Sequence, residues 1–237
     1  MYDPRQHLIV ALDVSSAAAA QKIVAAVGDS ALTYKVGMQL FTAEGPGIVR
    51  DLVASGRRVF LDLKYHDIPT TVAAASREAT QLGAAMITVH ASGGGKMLRA
   101  AVDAAHSVNP GLVVLAVTVL TSMEDGDLER LGIRGRVVDH VLRLTALATA
   151  NGCQGVVASA LEASELRSGL GDDFVIVTPG VRPPGRDHGD QSRVVTPSEA
   201  IAAGATHIVV GRPITAAANP AEEARAILEQ MSQATSA

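Results

Sequence analysis

The sequence predicts a single closed (β/α)8 TIM barrel, and three observations carry that expectation. Short runs rich in Val, Ile and Leu recur eight times, each followed by an Ala-rich stretch with helical spacing, which is the pattern of repeated βα units. The eight runs fill a chain of 237 residues, close to the ~250 residues typical of such barrels. No Pro/Gly/Ser linker divides the chain. The first run is followed by Asp13-Val14-Ser15-Ser16, whereas an open doubly wound sheet normally carries a Gly-rich turn there.

The strands are expected over 7–13, 33–38, 59–64, 86–91, 113–119, 155–159, 174–179 and 207–211, with a helix after each. Their near-continuous apolarity suits parallel strands covered on both faces. Thr196-Pro197-Ser198-Glu199 brings together a capping Thr, a first-turn Pro and a Glu at N3, a capping box before the seventh helix. Asn219-Pro220-Ala221-Glu222 resembles another helix entry, before the last one. The only long irregular connection expected is 180–195, between strand 7 and helix 7, a length often found in lids. Met38, Met86 and Met97 are assigned to core packing and Cys153 to a buried thiol.

Composition excludes several classes of function. Formal net charge is −4 and the 20 Lys and Arg residues are scattered, so the basic stripe that nucleic acid requires is missing. One cysteine cannot form an intramolecular disulfide, and Met1-Tyr2-Asp3-Pro4 lacks the order of a signal peptide. Apolar runs such as 113–117 and 208–210 fall far short of the ~20 residues that span a bilayer. A soluble cytoplasmic protein is the expectation.

Charged residues stand where apolar strands should end. Asp13 closes strand 1, Lys35 sits within strand 2, Asp62 and Lys64 share one face of strand 3, and Asp67 lies just beyond it. A buried charge costs several kcal/mol unless it is paired, so five ionisable groups on adjacent strands need a reason. Alternating Lys and Asp offsets that cost. Singly, each has an ordinary explanation: Asp13 as a loop cap, Lys35 snorkelling to the rim, Asp62 and Lys64 as a plain ion pair. Together, at the barrel end where active sites gather, they point to chemistry.

The run Asp62-Leu63-Lys64-Tyr65-His66-Asp67-Ile68-Pro69 resembles the Asp-x-Lys-x-x-Asp signature of the orotidine 5'-monophosphate decarboxylase suprafamily. Leu8 to Asp13, Lys35-Val36-Gly37, Thr88 to Ala91, Leu120-Thr121-Ser122, Thr178 to Arg182 and Val210 to Pro213 are similar to further blocks of that family, in its order. Metal-dependent relatives carry a strand-2 Glu that helps hold Mg²⁺; Lys35 stands there instead, and an ammonium repels a dication. The resemblance therefore implies the metal-free, cofactor-free branch, which converts orotidine 5'-monophosphate to uridine 5'-monophosphate and CO₂.

What the resemblance implies residue by residue is as follows. Lys64 stabilises the C6 carbanion and protonates it, Asp62 adjoins the leaving carboxylate, and Lys35 and Asp67 complete the charge network. Asp67 would serve the neighbouring subunit of a homodimer with shared sites. Asp13, Lys35 and Thr71 would contact ribose, with Thr71 also reaching across, and Thr121 would read the pyrimidine edge. Gln191, Gly211 and Arg212 would hold phosphate, with Arg182 beside them on the 180–195 lid; Arg186 and Asp187 are solvated lid residues. Thr70 departs from the Asn that family members often carry after Ile-Pro. His90 is expected to face the same chamber, and His66 lies in the motif, but neither receives a catalytic part.

Overall fold

The computed structural model describes residues 3–171, 173–183 and 195–234. Eight parallel strands close in sequence order: β1 (Leu8–Ala11), β2 (Thr33–Gly37), β3 (Arg58–Tyr65), β4 (Met86–His90), β5 (Val113–Val117), β6 (Gly155–Val157), β7 (Val175–Thr178) and β8 (His207–Val210). β8 pairs back to β1, with Leu8 opposite Ile208, so no edge is left unpaired. All eight expected strands form, and the barrel is a single domain. Most are shorter than expected because the residues at their C-terminal ends leave the ladder and turn into the mouth.

The two-residue period of a strand sorts side chains into two cores. Ile9, Ala11, Phe60, Met86, Leu115, Val177 and Val209 point inward and pack as a plug inside the barrel. Their neighbours Val10, Val59, Leu61, Ile87, Val114, Ile176 and Ile208 point outward into a larger core beneath the helices. The helix Gly95–His106 shows how the cover is made, burying Met97, Leu98, Ala101, Val102 and Ala105 on one face. The capping box at Thr196 and Glu199 forms as expected, and Asn219 Oδ1 accepts the Glu222 N–H at the start of Pro220–Ala234.

Three expectations are corrected. Met86 and Met97 are core residues, but Met38, which opens the helix Met38–Glu44 at the mouth, is 57% exposed. The 180–195 connection is not the only long one, because residues 118–136 between β5 and the helix Val137–Ala150 carry only the short helix Asp125–Arg130. A pair of helices, Met38–Glu44 and Gly47–Ala54, follows β2 in place of one. Cys153 is buried, and burial pushes its thiol pKa up to about 12. No helix among the described residues is long and apolar enough to cross a membrane.

The end of the barrel away from the mouth holds a histidine pair. His207 opens β8, its ring 4.9 Å from that of His7, and its Nδ1 lies 2.9 Å from Thr206 Oγ1. Burial, helped by the positive charge of His7 and Arg58, lowers the His207 pKa to about 3. The unfolded chain takes up that proton near pH ~6.5, so stability falls by about 1.4 kcal/mol per unit as pH drops below that value, and continues to fall towards the folded pKa. In urea denaturation at about pH 7 and about pH 5, His207→Gln is expected to lose roughly 2 kcal/mol less than the parent across this interval. Equal losses in both proteins would show that His207 carries no such linkage.

Candidate active site

The inward series of side chains runs up the strands into a cavity of about 480 Å³ at the C-terminal end of the barrel. Its floor is apolar: Ala11, Phe60 and Val209 form the top of the interior plug, and Val117 and Val157 complete the surface. Its wall carries Asp13, Lys35, Asp62 and Lys64 on the β1–β3 side. Thr121 follows β5, and Arg182, Gly211 and Arg212 follow β7 and β8.

Four of the charges form one row. Lys35 Nζ donates to Asp13 Oδ1 at 2.9 Å and stands 3.8 Å from Asp62 Oδ2. Lys64 Nζ donates to both Asp62 oxygens, at 2.8 and 2.9 Å. Signs therefore alternate from Asp13 to Lys64. The side chains of Lys35 and Asp62 are 13% exposed, against 26% for Lys64 and 59% for Asp13. At an effective dielectric near 20, opposite charges ~3 Å apart attract by roughly 5 kcal/mol, the same order as the several kcal/mol that desolvating an ion costs. The row is close to break-even as a stabilising device. Its place in a concave site is what marks it as functional.

The backbone bends to make this row. Leu61 pairs with Ile87, and the next partners are Tyr65 and Val89, so β3 uses four residues where β4 uses two. Within this bulge Lys64 adopts a φ of 52°, the one positive φ among the described non-glycine residues, at a cost of order 1 kcal/mol. Thr88, fully buried on β4, lies beside it: its Oγ1 accepts the Lys64 N–H at 2.8 Å and donates to Asp62 Oδ1 at 3.1 Å. Asp62 and Lys64 thus meet as the sequence predicts, but through a bulge that spacing alone did not reveal.

The other expected residues fall into three groups. Thr121, Arg182, Gly211 and Arg212 line the cavity; Arg182 is buried, its N–H donating to Val195 O at 2.9 Å, and the bridge between Val181 and Val195 joins the two ends of the long connection. Asp67 and Thr71 are exposed and do not line this chain's cavity. Asp67 Oδ1 accepts the Ile68 N–H at 2.6 Å, and among the described residues it makes no ion pair. Gln191, Arg186 and Asp187 lie outside the described residues.

His90 corrects an expectation: it does not line the cavity. Its ring packs against His66, centroids 5.3 Å apart, and burial first, then the charges of His66 and Lys64, lower its pKa. Sequence reasoning also passed over the floor, although Ala11 and Phe60, two residues before Asp13 and Asp62, could have been read from the same alternation. Thr88 could be read as inward from the same alternation, two residues after Met86, but its partners depend on the β3 bulge, which left no signal.

These features define a class first: a (β/α)8 barrel with a charged pocket at the strand C-termini, where enzymes of this fold carry their active sites. Comparison with known proteins narrows the class. Residues 6–227 match the family described as "Orotidine 5'-phosphate decarboxylase / HUMPS family". The Orotidine 5'-phosphate decarboxylase of Sodalis glossinidius is 49% identical over 225 residues, 94% of this chain and 89% of that protein. That of Heliobacterium modesticaldum is 48% identical over 237 residues, covering 98% of each. The crystal structure of Orotidine 5'-phosphate decarboxylase from Lactobacillus acidophilus superimposes with a TM-score of 0.85 at 38% identity, covering 95% of this chain and 99% of that one. The chain belongs to the orotidine 5'-phosphate decarboxylase / HUMPS family, and the relatives near 48% identity carry the name of its carboxy-lyases.

Gly37 offers a test of the row. A Cβ there would stand 2.8 Å from Lys35 Nζ and 3.5 Å from Asp13 Oδ1, while the backbone, at φ −95°, accepts alanine. Gly37→Ala is expected to move the flexible ammonium at small cost to folding, changing Tm by no more than a few degrees, yet to lower kcat/KM by about tenfold or more. A variant with unaltered kcat/KM would show that the position of Lys35 is immaterial.

Proposed function

We propose that this chain decarboxylates orotidine 5'-monophosphate to uridine 5'-monophosphate without a metal or cofactor, in the last step of de novo uridine 5'-monophosphate synthesis, with Lys64 as the proton donor. The observation that carries the reading is the Lys64 ammonium, held against both oxygens of Asp62 at the edge of an apolar floor. The C6–carboxylate bond breaks, its electron pair stays on C6, and CO₂ leaves. That pair lies in the plane of the ring, where the π-system cannot take it up, so a fixed positive charge must stabilise it. Lys64 supplies the charge and then the proton, completing the product. Asp62 lies beside the departing carboxylate, and loss of CO₂ relieves their repulsion.

Lys35 supports the metal-free reading. Its ammonium stands between the Asp13 and Asp62 carboxylates, where a dication would otherwise have to sit, so the two cations would repel. Arg182, Gly211 and Arg212 follow β7 and β8, the usual phosphate side of such barrels, and are assigned to phosphate together with Gln191 on a lid at about 180–195. Phosphate binding, remote from C6, then assembles the site. Thr121 is assigned to the pyrimidine edge, and Asp13 and Lys35 to ribose.

Asp67 and Thr71 are assigned to the active site of a second subunit in a homodimer. Their exposure away from this chain's own cavity supports this, as do the apolar side chains of Ile68, 64% exposed, and Met38, 57% exposed, at the same end of the barrel.

An ultraviolet assay of substrate loss is expected to show the same turnover with and without a chelator, and Lys64→Ala is expected to lower kcat by about 10³-fold or more. Inhibition by the chelator would overturn the metal-free reading. Mixing Lys64→Ala with Asp67→Ala after partial unfolding and reassembly is expected to restore about a quarter of parental activity, since half the dimers are mixed and each holds one intact site. No recovery on mixing would place Asp67 outside the partner's site.

A further inference from the structure

Between β3 and β4 one hydroxyl serves both residues on which the proposed chemistry depends. Thr88 is fully buried, facing inward two residues after Met86 of the plug. It accepts the Lys64 N–H at 2.8 Å and donates to Asp62 Oδ1 at 3.1 Å. The ring of contacts closes through the side chains, because Lys64 Nζ returns to the same Asp62 oxygen at 2.8 Å. Lys64 is also the residue with a φ of 52°, inside a bulge where β3 uses four residues against two of β4. A backbone in that conformation does not reach the regular ladder, so its N–H needs a side-chain acceptor. Few residue types can supply one here. An inward Ser or Thr has the reach and can donate its own proton to the carboxylate at the same time, whereas Val, close to Thr in shape, can do neither.

We infer that Thr88 is a positioning residue for the decarboxylation: its hydroxyl fixes the left-handed backbone of Lys64 and one oxygen of Asp62, and so sets where the ammonium stands relative to C6. The inference rests on Lys64 being the proton donor. It goes beyond that reading by naming the contact that aims the donor, and it separates Thr88 from substrate binding, since Thr88 does not line the cavity. A displacement of order 1 Å at a reacting group can cost about 100-fold in rate, while the residues assigned to phosphate, which follow β7 and β8, make no contact with Thr88. The effect therefore belongs in kcat.

The test compares Thr88→Val with Thr88→Ser in the full-length protein, measuring kcat, KM and Tm. Thr88→Val is expected to lower kcat by about 10- to 100-fold with KM within about threefold, and Thr88→Ser to retain kcat within about threefold of the parent. A kcat for Thr88→Val within about twofold of the parent would overturn the inference, as would a Ser variant that falls as far as Val, or a loss confined to KM. If Thr88→Val does not fold, Thr88→Ala, which removes the hydroxyl without placing a methyl against the Asp62 carboxylate, replaces it against Thr88→Ser. Lys64→Ala measured alongside separates the two readings. An active Lys64→Ala refutes the donor assignment itself, whereas an inactive Lys64→Ala beside a fully active Thr88→Val refutes only the part given to Thr88.

Discussion

Two oxygens of Asp62 gather Lys64, Lys35 and Thr88 around a carboxylate that is 13% exposed. An unpaired carboxylate at that depth would cost several kcal/mol, so each partner is needed by Asp62 as much as Asp62 is needed by them. Lys35 passes the dependence on to Asp13 at the rim. Thr88 passes it on to the backbone of β3. The mouth is thus a network in which a shift of one member is felt by the next, and such networks hold reactive groups in one arrangement.

That network needs a rigid base, which the apolar plug provides. Phe60, Ala11 and Val209 fill the interior beneath the charges, so the floor of the cavity is apolar. Fields from the two ammoniums are stronger over such a floor than they would be in a wet channel. The same packing separates the two ends of the molecule. The alternating row of charges sits at the mouth, while the opposite end carries a histidine pair in which His207 is kept neutral by burial.

The fold was legible because parallel strands covered on both faces leave an unmistakable record, and all eight form. The charge row was legible for the same reason in reverse: Lys35, Asp62 and Lys64 interrupt runs that should be apolar. The resemblance supplied roles that spacing could not. What escaped depends on departures from ideal geometry or on three-dimensional neighbours. A bulge at residues 61–65 has no Gly or Pro to announce it, and Thr88 matters only because that bulge presents an N–H to it. His90 ends an inward-reading strand yet packs against His66, which the turn after β3 brings alongside. Met38 looked like core by residue type, but its helix begins at the rim, where the barrel gives it nothing to pack against.

The bulge has a counting rule hidden in it. Four residues against two are both even numbers, so the alternation of faces survives the detour: Leu61, Leu63 and Tyr65 all pack on the outer core, while Asp62 and Lys64 stay inside. An odd excess would have inverted everything downstream, turning Tyr65 into the barrel and shifting the phase at which the chain enters the helix Pro69–Gln81. A single-residue insertion or deletion between Leu61 and Tyr65 would therefore exchange the two faces, whereas a paired one would preserve them. The parity of the segment, and not only its charged side chains, is therefore part of what keeps Asp62 and Lys64 inside the barrel.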